Sequence, residues 1–253
     1  MSKMISINKQ GVKDGENAVI TLNIARLASG TKIDLPIYVY RSKKPGPILL
    51  LSGGLHGDEV NGVEIVRRMV ANHTFENLHC GSVIAIPIMN IYGFLNFSRE
   101  VPDGKDINRS FPGSTTGSLA ARVAHNLTHK VLKEIDLGID FHTGGASRFN
   151  YPQCRFSPTD DYSKSIADVF NAPITMTSKL IDKSLRKEAF KMGKSIIVFE
   201  GGESMRFDEH VIQSGIRGAK RVMKHLGMTN QAAHEEENVF CSNSFWVRAK
   251  SSG

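Results

Sequence analysis

The chain has 253 residues, enough to bury a full core in one α/β domain with room for a small appendage. Its 40% hydrophobic and 23% charged residues are an ordinary globular balance, which excludes a disordered or fibrous chain. The net charge of +7 is scattered, and pairs such as Lys43-Lys44 and Arg67-Arg68 fall short of a basic tract. Nucleic acid is therefore not an expected partner, whereas a solvated surface or a small anionic substrate is.

The N-terminus, MSKMISINKQG, has no apolar core of signal-peptide length, so the expected location is cytoplasmic. Residues 18–27 and 32–40 read as two strands joined by a glycine-containing turn. KKPG at 43–46 is a further turn, and 47–52 is a short, almost fully apolar strand of the buried kind. It runs into GGLHGDEVNG, residues 53–62, after which Val60, Val63, Ile65, Val66, Met69 and Val70 repeat at helical spacing. A strand follows at 82–88. A long amphipathic helix spans 116–135, with Leu119, Val123, Leu127, Val131 and Ile135 at four-residue steps. Strands at 137–141 and 195–199 and a helix at 210–226, stopped by Gly227, complete the pattern. The longest apolar runs, 47–51 and 195–199, are far below the ~20 residues of a membrane span. Cys80, Cys154 and Cys241 are odd in number and far apart, as free thiols would be.

Short apolar strands alternating with helices predict a mainly parallel sheet covered on both faces. Ligands of such sheets sit beyond the carboxyl ends of the strands. His56, His142 and Glu200 each fall just past a predicted strand and so are expected on one sheet edge. Zinc in a hydrolase takes three protein ligands and leaves one position open. His56, Glu59 and His142 can supply the three. Alone, His56 and Glu59 read equally well as a turn residue and an acid at a helix N-terminus. The Asp140-x-His142 pair at a second strand end tips the balance to metal, with Asp140 holding the His142 imidazole from behind.

Glu200, in VFEGGE, is the candidate general base and acid, and Glu203 lies farther from the strand end. DGKDINRSFPG places Asn108 and Arg109 in a turn-rich loop suited to a substrate carboxylate, with Arg99 upstream to steady an oxyanion. Other catalytic templates are missing: there is no GxSxG, HExxH, GxxxxGK[ST] or GxGxxG, and nothing near Cys154 activates it.

GGLHGDE, DINRSFPG, DFHTGG and VFEGGE, in this order, resemble the succinylglutamate desuccinylase/aspartoacylase family of the zinc carboxypeptidase superfamily, in its bacterial deacylase branch. The resemblance implies an α/β, carboxypeptidase-like (phosphorylase/hydrolase-like) fold with a mixed, mainly parallel sheet and helices on both faces. It implies one Zn2+ per chain at His56, Glu59 and His142, and Glu200 as the acid/base residue. Asn108 and Arg109 would hold the substrate carboxylate, and Arg99 would polarise the scissile carbonyl. Tyr151 and Arg155, in HTGGASRFNYPQCR, are expected to line the pocket. The implied reaction is hydrolysis of the amide bond of a small N-acyl amino acid, and the alternative is carboxypeptidase trimming of acidic residues from a peptide tail. The catalytic domain is expected over 1–235. Residues 236–253 are expected to begin a C-terminal β domain of which the rest is cut off. Homo-oligomerisation stays open.

Overall fold

The computed structural model describes residues 4–26, 30, 32–231, 234, 237–245, 247 and 250–251. In chain order the strands are β1 (Ile5–Ile7), β2 (Gln10–Val12), β3 (Asn17–Arg26), β4 (Lys32–Arg41), β5 (Ile48–Gly53), β6 (Ser82–Ile86), β7 (Leu137–Gly144), β8 (Asn150–Phe156), β9 (Ile174–Thr177), β10 (Ser195–Glu203) and β11 (Val239–Cys241). The helices are α1 (Val60–Ala71), α2 (Ile91–Leu95), α3 (Leu119–Asn126), α4 (Asp161–Phe170), α5 (Leu185–Lys191) and α6 (Glu209–His225). A 3-10 turn covers Ile107–Arg109, and α3 runs on into a π-helical turn at Leu127–Leu132.

The continuous apolar runs divide between two cores because successive side chains on a strand point to opposite faces. In β5, Leu49 and Leu51 enter one core and Leu50 the other; in β6, Val83 and Ala85 part from Ile84 and Ile86; in β10, Ile197 and Phe199 part from Ile196. One face packs on Ile65 and Val66 of α1, Ile166 and Phe170 of α4, and Val211, Ile212 and Val222 of α6. The other packs on Val123 of α3, the π-helical turn, and Leu185 and Ala189 of α5. The nine strands of this sheet run in the order β11-β9-β8-β10-β7-β5-β6-β4-β3, while β1 and β2 form a separate ribbon. The four central strands, β10, β7, β5 and β6, are parallel, so their carboxyl ends share one edge.

Polar caps set where helices begin. Ser118, Asp160, Ser184 and Asp208 each accept a backbone N–H from the first turn of the helix that follows. Ser118 thus starts at Leu119 the helix predicted from residue 116. The strand predicted to reach 88 ends at Ile86, because Pro87 has no N–H to give the ladder. The strands predicted to stop at 141 and 199 run on to Gly144 and Glu203, since β7 and β10 keep pairing through a register shift. Of the residues expected to begin a further domain, Val239–Cys241 join the main sheet, parallel to β9. The described residues beyond them are 242–245, 247 and 250–251, and the rest of that stretch lies outside the described residues, as does Leu27 of the first predicted strand. Among the described residues, no helix is long and apolar enough to cross a membrane.

Candidate active site

Gly53 and Gly54 end β5, and Gly54 turns the chain at φ +58, a conformation that suits glycine. The backbone of Gly57 then passes so close to Gly93 that a Cβ there would lie 1.8 Å from the Gly93 carbonyl carbon. This tight passage leaves His56 and Glu59 buried at the start of α1. His142 stands in the neighbouring β7, opposite Glu200 of β10. Three adjacent strands therefore deliver His56, His142 and Glu200 to one place.

Glu59 lies between the two imidazoles. Its Oε1 is 2.7 Å from His56 Nδ1 and its Oε2 is 2.7 Å from His142 Nδ1, while Oε2 also accepts the Thr143 N–H at 3.1 Å. Behind His142, Nε2 meets Asp140 Oδ2 at 2.7 Å, and the other Asp140 oxygen accepts the Ser52 hydroxyl at 2.8 Å. Behind His56, Nε2 lies 3.3 Å from Asp106 Oδ1, off line for a hydrogen bond. Asp106 Oδ2 also binds Nε and Nη2 of Arg99, whose Nη1 is 3.3 Å from Glu59 Oε1 and 3.2 Å from His56 Nδ1.

Burial works against the charges of His56, Glu59, Asp106 and His142, yet their partners outweigh it. The two imidazoles hold the Glu59 carboxyl well below the usual carboxylate range. Asp140 and Glu59 raise His142 well above an ordinary imidazole, and Glu59 with Asp106 raises His56. One donor atom from each of His56, Glu59 and His142 lies within 4.8 Å of the others. Two imidazoles and a carboxylate, each imidazole backed by a second carboxylate, are the donor set of a catalytic zinc site, so the residues fit such an ion.

A cavity of about 300 Å³ opens beside this group. Glu200, Asn108, Arg109, Arg99 and Arg155 line it together with His56, Glu59, Asp140 and His142. Glu200 Oε1 accepts from Asn150 Nδ2 at 2.7 Å, and Oε2 pairs with Arg155 Nη2 at 2.9 Å. Asn108 uses its Oδ1 to accept the Leu185 N–H at 2.9 Å, which fixes the start of α5 against the 3-10 turn. Arg109 is exposed at the rim, with Nη1 on the Asn108 carbonyl at 2.6 Å.

Tyr151 is placed otherwise than expected: it is exposed and absent from the cavity wall, which Asn150 occupies. Strict alternation back from Arg155 would bring Tyr151 to the pocket. Between Asn150 and Gln153, however, β8 spends three residues against two of β10, from Gly202 to Glu200, and past this bulge Asn150 takes the place on the wall. Cys154 is fully buried, and burial pushes its thiol up, away from nucleophilic use.

The sequence reading missed Ser52, Asp106, Asn150, Arg148 and Arg186. Asp106 could have been sought, because a ligating histidine wants a carboxylate behind it. Arg186, in SLRKEAF, reads as a surface charge of a helix. In the fold it is buried in the cavity wall, with Nη2 donating to Ser178 O, Ser178 Oγ and Lys179 O and with Nη1 lacking a partner among the described residues. Burial, with the nearby Arg155 charge, pushes its guanidinium down to about 10.

The succinylglutamate desuccinylase/aspartoacylase catalytic-domain family matches residues 45–226. The N-alpha-acetyl-L-2,4-diaminobutyric acid deacetylase of Halomonas elongata is 29% identical over 202 residues, covering 77% of this chain and 58% of that protein. The chain thus spans little more than half of this curated relative. A succinylglutamate desuccinylase from a Silicibacter species superimposes with TM-score 0.83 at 24% identity, over 95% of this chain and 76% of that one. The product-bound ectoine utilization protein EutE (DoeB) of Ruegeria pomeroyi does so with TM-score 0.84 at 24% identity, over 97% and 77%. A succinylglutamate desuccinylase/aspartoacylase of Rhodobacter sphaeroides gives TM-score 0.78 at 26% identity, over 90% and 73%. These superpositions show a zinc carboxypeptidase-like fold, as the motif order implied.

Proposed function

The chain belongs to the succinylglutamate desuccinylase/aspartoacylase family, and from that premise we propose that it hydrolyses the amide bond of a small N-acyl amino acid. The observation that carries this reading is the joint lining of one cavity by the His56, Glu59 and His142 group, Glu200 and five arginines. Zinc held by His56, Glu59 and His142 would supply a Lewis acid that acidifies a water and polarises the acyl carbonyl. Arg99, tethered by Asp106, reaches the same spot and is suited to the charge that develops on the carbonyl oxygen. Glu200 takes the proton of the attacking water and passes it to the departing nitrogen. Asn108 and Arg109 hold the amino-acid carboxylate at the rim.

The cavity wall bears Arg99, Arg109, Arg148, Arg155 and Arg186 against three carboxylates, Glu59, Asp140 and Glu200. That surplus suits a substrate with more than one carboxylate. It opposes a side-chain ammonium such as that of N-alpha-acetyl-L-2,4-diaminobutyric acid, the compound named for the Halomonas relative. The volume of about 300 Å³ sits at the small end of ligand pockets, which supports a small molecule over a peptide tail.

Zinc-loaded protein incubated with N-acetyl and N-succinyl amino acids, beside peptides ending in aspartate or glutamate, tests this by mass spectrometry. Release of an acyl group is expected, and Glu200→Gln should lower turnover by roughly 10²–10⁴-fold while zinc stays bound. Near wild-type turnover in that variant would remove Glu200 from its role. Loss of C-terminal residues from the peptides would move the protein to the carboxypeptidase reading.

A further inference from the structure

Both oxygens of Glu200 are engaged, one by Asn150 at 2.7 Å and one by Arg155 at 2.9 Å. A guanidinium and an amide N–H on the two oxygens occupy the lone pairs that a water would otherwise meet. Arg155 stands opposite Val198 on β8, so its side chain reaches Glu200 along the diagonal of the two strands. The Arg155 side chain is 33% exposed, and beside this ion pair it makes a long hydrogen bond from Nε to Gln153 Oε1 at 3.4 Å. Glu200, at 16%, is the more enclosed partner. Arg186, on the same cavity wall, is nine-tenths buried with its Nη1 unpartnered, and it lies near enough to Arg155 for the two charges to repel.

We propose that Arg155 is a clamp on Glu200 that an anionic group of the substrate releases. The proposal rests on Glu200 being the base. A carboxylate seated between Arg155 and Arg186 would satisfy the orphaned Nη1, screen the two cations from each other and draw Arg155 off Glu200. A neutral amide of the same shape can accept from Nη1, but it has no charge to screen the two cations or to draw Arg155 off Glu200. Anion binding is thereby coupled to freeing the base, so discrimination reaches kcat as well as KM. Arg155 acts here as a positioning residue. The releasing carboxylate can belong to the amino-acid side chain or to the acyl chain, and the chemistry at Arg155 is the same.

Calorimetry on zinc-loaded protein tests the clamp without turnover. L-aspartate against L-asparagine probes a carboxylate on the amino-acid side, and succinate against succinamate probes one on the acyl side. In at least one pair the charged member should bind more tightly, and Arg155→Met should erase that preference. Glu200→Gln unlocks Arg155 and should tighten the charged member by roughly 3–10-fold, because the cost of opening the clamp is gone. Simple loss of a negative charge would do likewise, so the double variant decides: in the Arg155→Met background, Glu200→Gln should no longer tighten the charged member. Equal tightening in both backgrounds, or no charge preference in either pair, overturns the clamp. In turnover, Arg155→Met should raise kcat for an N-acyl amino acid lacking the second carboxylate and lower kcat/KM for its charged counterpart. A uniform fall for both would make Arg155 merely structural. A protein that cleaves neither, yet passes the calorimetric cycle, keeps the clamp and loses the deacylase reading.

Discussion

The two halves of the cavity are built on opposite terms. On the β5–β7 side, Ser52, Asp140, His142, Glu59, His56, Asp106 and Arg99 form one chain of contacts in which nearly every charge meets an opposite charge. On the β8–α5 side, among the described residues, Arg155 shares Glu200, Arg186 leaves Nη1 without a partner, and Arg109 and Arg148 bond backbone carbonyls. The first half is preorganised before any ligand arrives, as catalytic electrostatics require. The second holds one buried cation, Arg186, with an unpartnered Nη1 among the described residues, beside more exposed arginines. Chemistry and recognition are thus separable, and variants on either side should fail differently.

The largest effect should come from the ligand half. His142→Ala is expected to lose zinc through desalting, read by elemental analysis, and with it all turnover. Zinc at about 100 times its Kd should stabilise the wild-type protein by roughly 2.7 kcal/mol in thermal melts and this variant hardly at all. Retention of stoichiometric zinc would remove His142 from the ligand set. Next, Asp106→Asn keeps the ligands but withdraws the carboxylate behind His56 and the anchor of Arg99. A loss of about 10–100-fold in zinc affinity is expected from competition with a chromophoric chelator. Unchanged affinity would confine Asp106 to capping the 3-10 turn, where it already accepts the Asn108 N–H.

Arg186→Met should do the reverse of these: zinc content intact, kcat/KM for a dicarboxylate substrate down by roughly 10–100-fold, as for a lost charged hydrogen bond. If zinc fell with it, the two halves would not be independent. The smallest effect belongs to a site outside both. Glu64 of α1 is held down to about 2 by hydrogen bonds from Arg67 and Arg68, the latter reaching across to Glu209 of α6. A depressed carboxylate stabilises the fold above its unfolded pKa, near 4.5, and that stabilisation disappears as pH falls toward 2. Arg67 is 57% exposed, so solvent screens the pair. Glu64→Gln should cost only about 1–2 kcal/mol at pH 7 in urea melts, and the difference should close as the pH is lowered through that window. A gap that persisted at pH 2 would mean packing, not charge.

What could be read from the chain alone was what is written at short range. The two-residue alternation of Leu49, Leu50 and Leu51, and the four-residue step from Leu119 to Ile135, follow from the geometry of single elements and reappear in the two cores. His56, His142 and Glu200 were legible for the same reason: each ends or interrupts an apolar run, and parallel strands bring such positions to one edge. The pairing of Asp106 with His56 was not legible, since it joins two loops fifty residues apart through contacts that no local pattern marks. Tyr151 gave way to Asn150 where β8 counts one residue more than β10, and a single strand carries no record of its partner's count. Arg186 lies on a short polar helix whose sequence resembles any surface helix. Only the docking of α5, fixed by the bond from its first N–H to Asn108, buries that charge in the cavity wall. Local periodicity thus determined the elements and the ends where chemistry gathers. Tertiary packing decided which charges are satisfied there and which are not, because burial and pairing are properties of several elements together.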